Sequence, residues 1–166
     1  LQAPDGRPVG AIRGFIQTIL GLIRDYEVTH VACAFDHEIE SFRNTILDEY
    51  KNGDNVPVDL MSQFDLAEQA AKAMGIIVWP MIEFEADDAL ATAVERWSQD
   101  RRVNRLVICS PDKDLCQLVV GDKVVCLDRR KNEIIDENGV KKKIGVMPTS
   151  IPDFLALVGD TADGIP

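Results

Sequence analysis

Apolar and polar positions alternate along the chain with two periods. Over residues 9–24, Ile12, Phe15, Ile16, Ile19, Leu20 and Ile23 mark one face of a helix. Gly10, Gly14 and Gly21 weaken that helix by roughly 1 kcal/mol each relative to Ala, unless close packing wants them. It follows a lead-in, residues 1–8, with an Asp5-Gly6 turn signal. The run V-T-H-V-A-C-A-F, residues 28–35, predicts a buried strand that stops at Asp36. Residues 37–55 are polar, with Phe42, Ile46, Leu47 and Tyr50 scattered among charges, and predict a helical or loop excursion. Residues 59–74 predict an amphipathic helix with Leu60, Phe64, Ala67, Ala71 and Met74 on one side, ended by Gly75. Residues 76–79 predict a short strand closed by Pro80.

A helix follows over residues 89–97, with Leu90, Val94 and Trp97 at helical spacing. Residues 105–109 predict a second buried strand, and residues 115–120 a short helix. Two further strands, 123–128 and 133–136, are joined by the basic turn Arg129-Arg130-Lys131. Lys141-Lys142-Lys143 is a second basic cluster; such runs are most often solvated, though either could track a phosphate backbone. Ser150 is expected to cap a last helix through Leu157, with Val158-Gly159 ending it. Strands alternating with helices predict an α/β fold with a mostly parallel central sheet.

At 166 residues the chain fits one domain with a real core. No apolar run approaches the ~18–20 residues needed to span a membrane, so no membrane partner is expected. Cys33, Cys109, Cys116 and Cys126 form no C-x-x-C pair; Cys33 and Cys109 lie in apolar runs, and the four read as core residues in a reducing compartment. Only His30 and His37 are present, which argues against a His-rich zinc site. Trp79 and Trp97, at the ends of apolar elements, read as packing rather than base-stacking residues. A net charge of −10 argues against nucleic acid as a partner. Acids gathered around bound cations would change that balance, because the ions neutralise part of the charge.

The acids are placed in groups. Glu85-Ala86-Asp87-Asp88 opens the 89–97 helix with three carboxyl groups in one turn. An acidic first turn suits the helix dipole, yet ionised neighbours repel; capping and metal binding both stay open. Asp36 follows one strand, and Asp112 and Asp114 follow another. Asp160 and Asp163 stand at i and i+3 after the last helix. Open parallel sheets place sites beyond the carboxyl ends of their strands, so a layered fold could gather these acids at one edge. Oxygen ligands without Cys or His select Mg²⁺ or Mn²⁺. Two such ions suit phosphodiester cleavage, one activating water and the other stabilising the leaving oxygen. Arg43 and Lys51 are candidates to meet the phosphate, against the ordinary reading of a solvated helix face. Lys113, between two proposed ligands, could offset their charge.

Five stretches, in order, resemble a known family: T-H-V-A-C-A-F-D (29–36), S-F-R…E-Y-K (41–51), E-A-D-D (85–88), S-P-D-K-D-L-C-Q-L (110–118) and F-L-A-L-V-G-D-T-A-D-G-I-P (154–166). The chain resembles the 5′-nuclease domain of bacterial DNA polymerase I and its free-standing 5′→3′ exonuclease relatives, akin to flap endonucleases. The resemblance implies a PIN-like, resolvase-like three-layer fold, a single catalytic domain over 1–166, an arch at about 37–58 and the start of a helix-hairpin element at 159–166. It implies Mg²⁺-dependent hydrolysis of DNA at 5′ ends and flaps, in replication and repair, with RNA primers as a further substrate. Asp36, Glu85 and Asp87 would hold the first metal; Asp112, Asp114 and Asp163 the second, with Asp88 and Asp160 in support. Arg43 and Lys51 would be arch residues contacting the scissile phosphate. A monomer in the bacterial cytosol, with a C-terminal polymerase domain in the parent chain, is the expected setting.

The chain also departs from the family. No apolar strand closing on an Asp ligand precedes Leu1, and Asp5 fits that role poorly. Asp54 stands where the arch pattern Y-K-x-x-R has Arg, and Pro111 stands where Gly is expected. Weak or no cleavage is therefore expected of the isolated 166 residues. The alternatives are a catalytically silent DNA-binding module of the same fold and a Mg²⁺-dependent phosphatase using an Asp nucleophile in D-x-D.

Overall fold

The apolar stripe of residues 9–24 becomes α1 (Gly10–Asp25), whose buried residues include Ile19. The computed structural model describes residues 1–47, 50, 51, 53 and 56–160. By its contacts the chain divides into two units, Leu1–Ala86 and Asp87–Pro166.

In the first unit α1 is followed by β1 (Ala32–Asp36), a 3-10 turn (Phe42–Thr45), α2 (Val58–Met61), α3 (Phe64–Ala73) and β2 (Ile77–Met81). β1 and β2 pair in parallel, from Ala32 opposite Ile77 to Asp36 opposite Met81. Parallel strands need a long crossover, and residues 37–76 supply it. Ile19, Ala71 and Ile76 form the buried centre, with Phe15, Cys33, Phe35 and Val78 packed against it. The Phe15 and Phe35 rings meet edge-on at 5.6 Å. β1 starts four residues later than the apolar run and includes Asp36 as its last residue. Pro80 lies inside β2 rather than after it. Among the described residues β2 pairs with β1 alone, so a residue without an N–H is tolerated there.

The helix expected over 59–74 is two helices, broken at Ser62-Gln63. The break places the Gln63 amide where three backbone groups need it. Gln63 Oε1 accepts from Ala11 N at 2.9 Å and Ile12 N at 3.3 Å, and Nε2 donates to the Asp59 carbonyl at 2.7 Å. Val9 offers α1 no side-chain cap, so Gln63, 6% exposed, satisfies two of the first-turn N–H groups from across the fold. α3 ends as expected at Gly75, which takes φ +77.

The second unit carries α4 (Ala86–Trp97), which starts on the last residue of the first unit. β3 (Leu106–Ile108), a 3-10 turn (Asp114–Leu118), β4 (Val124–Asp128), β5 (Glu133–Ile135), α5 (Glu137–Ile144), a 3-10 turn (Pro148–Ser150) and α6 (Ile151–Val158) follow. β4 is the central strand, parallel to β3 and antiparallel to β5. Both units are α/β, and their pairing is parallel except for β4–β5 among the described residues. Val124, Cys126, Ile135, Val140 and Ile151 are at the centre of the second core, with Leu90 and Val94 of α4 packed against it. Three expectations change. The 115–120 helix is the 3-10 turn. Ser150 makes no side-chain cap, and α6 starts from the preceding 3-10 turn with Pro152 in its first turn. Cys109 is exposed rather than core, because it stands one residue past the end of β3.

α5 was not among the expected helices. Asp136 caps it by accepting Gly139 N–H at 2.8 Å, and Gly145 ends it at φ +98. No helix among the described residues is long and apolar enough to cross a membrane. Replacing Gln63 with Ala strands two N–H groups and a carbonyl, and should cost about 1–3 kcal/mol in urea unfolding; a cost below about 0.5 kcal/mol would contradict this capping role.

Candidate functional site

β1 delivers Asp36 at its carboxyl end, and both carboxylate oxygens are engaged. Oδ1 accepts the Ala86 N–H at 2.7 Å; Oδ2 receives Lys51 Nζ at 2.9 Å. The Ala86 contact ties the end of β1 to the last residue of the first unit.

Beside it, Glu85 is 7% exposed. A buried carboxylate is tolerated only when hydrogen-bonded and paired. Ser41 Oγ donates to Oε1 at 2.7 Å, Arg43 Nη1 lies 3.4 Å from Oε1, and Tyr50 OH lies 3.4 Å from Oε2. Ser41 is fixed by its own turn: its Oγ accepts Arg43 N–H and its N–H donates to Asn44 Oδ1, a reciprocal cap on the 3-10 helix. Asn44 Nδ2 also donates to the Lys51 carbonyl at 3.1 Å, bringing the Lys51 segment back towards the turn. The Arg43 guanidinium lies 4.8 Å over the Phe42 ring. The structure thus brings four expected site residues, Asp36, Arg43, Lys51 and Glu85, into one cluster of the first unit. Ser41, Asn44 and Tyr50 complete it; Ser41 and Tyr50 stand in the S-F-R…E-Y-K stretch without an expected site role, and Asn44 is signalled by the S-x-x-N cap of the turn.

Asp36 and Lys51 also line a mostly apolar cleft of about 560 Å³, with Phe15, Phe35, Leu60 and Glu68 among its walls. Oε1 of Glu68, 4% exposed, lies at hydrogen-bond distance, 2.8 Å, from His37 Nδ1, and Lys72 Nζ stands 3.8 Å from its other oxygen. The Glu68 carboxylate raises the His37 pKa above its ordinary value, first through the hydrogen bond and then through charge.

In the second unit Asp112 and Asp114 follow β3. Asp112 N–H donates to Ser110 Oγ at 3.2 Å, and Asp114 N–H donates to Asp112 Oδ1 at 2.8 Å. Lys113 does not stand over these two acids alone: its Nζ lies 3.2 Å from Oδ2 of buried Asp160, whose hydrogen bond raises the Lys113 pKa. Asp160 follows Gly159, which leaves α6 at φ +74. Asp87 and Asp88 occupy the first turn of α4. Asp163 and Asp54 lie outside the described residues.

Among the described residues no group of three or more His, Cys, Asp or Glu forms a ready metal cage. The donors are nonetheless all carboxylate oxygens, the set that hard divalent cations take. On Asp36, Glu85 and Asp160 the cationic partners are side chains, Lys51, Arg43 and Lys113.

Comparison with known proteins gives concordant results. Residues 1–145 match the family model described as 5′-3′ exonuclease, N-terminal resolvase-like domain. A 5′-3′ exonuclease of Aquifex aeolicus is 35% identical over 167 residues, covering 100% of this chain and 57% of the relative. DNA polymerase I of Pseudomonas aeruginosa is 36% identical over 168 residues, covering 100% of this chain but 18% of the polymerase. The chain therefore spans a little over half of one relative and under a fifth of the other. A T5 5′-exonuclease structure with bound divalent zinc superposes with a TM-score of 0.80 at 20% identity, covering 96% of this chain and 61% of that one. At that identity the likeness establishes the PIN-like α/β fold and nothing finer.

A raised histidine pKa stabilises the fold fully below the unfolded value near 6.5, and the contribution is lost as pH rises through the folded value. The melting temperature of the wild type should therefore fall relative to His37→Gln as pH rises from 5 to 9; parallel curves for the two proteins would contradict the His37–Glu68 pairing.

Proposed function

Since the chain belongs to the family of 5′-3′ exonuclease N-terminal, resolvase-like domains, we propose that it is the catalytic part of a metal-dependent 5′→3′ exonuclease or flap endonuclease that hydrolyses DNA. The observation that carries this reading is the first-unit cluster: two carboxylates, Asp36 and Glu85, each paired with a cation, Lys51 and Arg43. Carboxylates suit metal ions, and Lys and Arg suit phosphate. The name of the Pseudomonas relative supports DNA as substrate and a polymerase domain in the parent protein. The zinc-bound T5 protein supports a divalent-metal requirement.

Asp36, Glu85 and Asp87 are the proposed holders of one Mg²⁺ or Mn²⁺; Asp112, Asp114 and Asp163, supported by Asp88 and Asp160, those of a second. Bound there, such ions would supply a water of lowered pKa and charge stabilisation for a leaving oxygen. The chain's own residues do the rest. The Ala86 N–H holds Asp36 in place, and Ser41 and Tyr50 orient Glu85. Lys51 and Arg43, which stand beside these carboxylates, would donate to the phosphate oxygens and position the scissile bond. A cytosolic monomer acting in replication and repair, on DNA and on RNA primers, is the setting that fits.

The ion pairs also favour a second reading, a catalytically silent DNA-binding module whose acids are neutralised by Lys51, Arg43 and Lys113. A labelled 5′-flap DNA distinguishes the two when incubated with the full-length parent protein in Mg²⁺, Mn²⁺ or EDTA. The nuclease reading expects cleavage in either metal and none in EDTA. It expects a loss of about 10²–10³-fold or more in Asp36→Ala with flap binding retained, the scale of removing one transition-state stabilising group. Cleavage in EDTA, or an Asp36→Ala enzyme as fast as wild type, would overturn it.

A further inference from the structure

The two basic runs that the catalytic reading leaves unused fall in one part of the second unit. They hold six of the chain's 18 Lys and Arg residues. Arg129, Arg130 and Lys131 form the exposed turn between β4 and β5. Lys141, Lys142 and Lys143 form the exposed last turn of α5, whose Val140 is fully buried. Asp128 joins the two: its Oδ1 accepts the N–H groups of Arg130 at 3.0 Å and Lys131 at 3.1 Å, and its Oδ2 lies 3.8 Å from Lys143 Nζ. The basic turn is thereby given a defined shape and set next to the lysine-bearing helix end.

Four acids share the stretch, Asp128, Glu133, Asp136 and Glu137, so residues 128–147 keep a positive balance of six cations against four acids. Asp136 caps α5, and Glu137 Oε1 accepts the Gly121 N–H at 2.9 Å. Glu133, opposite Asp128 in the ladder, is exposed. Among the described residues only Lys143 of the six cations has a carboxylate ion pair, and that pair is half-exposed and weak. Lysines in a last helical turn also complement the helix dipole. That accounts for the helix end and leaves the two arginines of the turn unexplained.

We propose that the β4–β5 turn and the end of α5 form a docking surface for the phosphate backbone of double-stranded DNA, separate in sequence from the acidic clusters. Six cations outnumber the four acids of residues 128–147 on a chain of net charge −10, so this surface is a place where a polyanion can approach. Residues 128–147 contain no Phe, Trp or Tyr, so the surface lacks the stacking platforms that grip single strands. Duplex DNA, with a charge every ~1.7 Å of axis, suits such a surface, and recognition is independent of base sequence. The inference rests on the chain acting on DNA, and its test keeps the two claims apart.

Binding of a fluorescent 20-base-pair duplex is measured in EDTA between 50 and 200 mM salt for the 166-residue chain and two triple variants, R129Q/R130Q/K131Q and K141Q/K142Q/K143Q. Unchanged thermal melting checks that each variant is folded. Each variant should bind about tenfold or more weakly at 50 mM salt, and its log K against log salt slope should be shallower by about 2–3. Wild-type affinity and slope in both variants would overturn the proposal. So would tighter, equally patch-dependent binding to phosphatidylserine vesicles, which would make the surface a membrane contact. Duplex binding through the patch, together with a full-length parent protein that does not cleave flap DNA in Mg²⁺ or Mn²⁺, would defeat the nuclease reading alone. Cleavage by a protein whose duplex binding ignores the patch would defeat this inference alone.

Discussion

A carboxylate buried to 7% exposure shapes the first unit's functional end. Glu85 has left water, and an ionised group there is costly unless every lone pair finds a donor or a cation. Ser41, Arg43 and Tyr50 answer that demand from a segment 35 to 44 residues earlier in the chain. The reciprocal cap at Ser41 and Asn44 follows from it, because the serine must be held to point at Glu85. Asn44 then reaches the Lys51 carbonyl, and Lys51 reaches Asp36. One buried charge thus accounts for how two cations come to stand over two acids.

The same rule of satisfying buried polar groups explains the interruption between α2 and α3. Gln63 is buried, and its amide spans the first turn of α1 and the Asp59 carbonyl of α2. An unbroken helix would have been better by local propensity; the tertiary contact outweighs it. Glu68 is a third case, balanced by His37 and Lys72. In each, polar side chains in the first unit are consumed by structure before any ligand is considered.

This explains what could be read in advance. α1, α4, the strand ends at Asp36 and Asp112, and the stop at Gly75 are local signals, set by periodicity and punctuation. Arg43 and Lys51 were legible as cations near acids, and the family motifs named them. The partners of Glu85 and the role of Gln63 were not legible, because they depend on contacts across 35 to 52 residues. α5 was missed for another reason: three successive lysines hide a short helix whose only apolar anchors are Val140 and Ile144, although the Asp136 cap and Gly145 stop were in plain sight. The ion pairs on the acids were likewise invisible, and they alter the site's character, since the two carboxylates proposed to hold a cation are each paired with a basic side chain.

The proposed function depends most directly on metal binding at Asp36 and Glu85, and that can be measured without any turnover. Electron paramagnetic resonance of Mn²⁺ titrated into the protein reports free ion directly. The account predicts binding by the wild type and a markedly weakened site in the doubly neutralised Asp36→Asn/Glu85→Gln protein. Equal Mn²⁺ binding by both, or none by the wild type at millimolar ion, would contradict it.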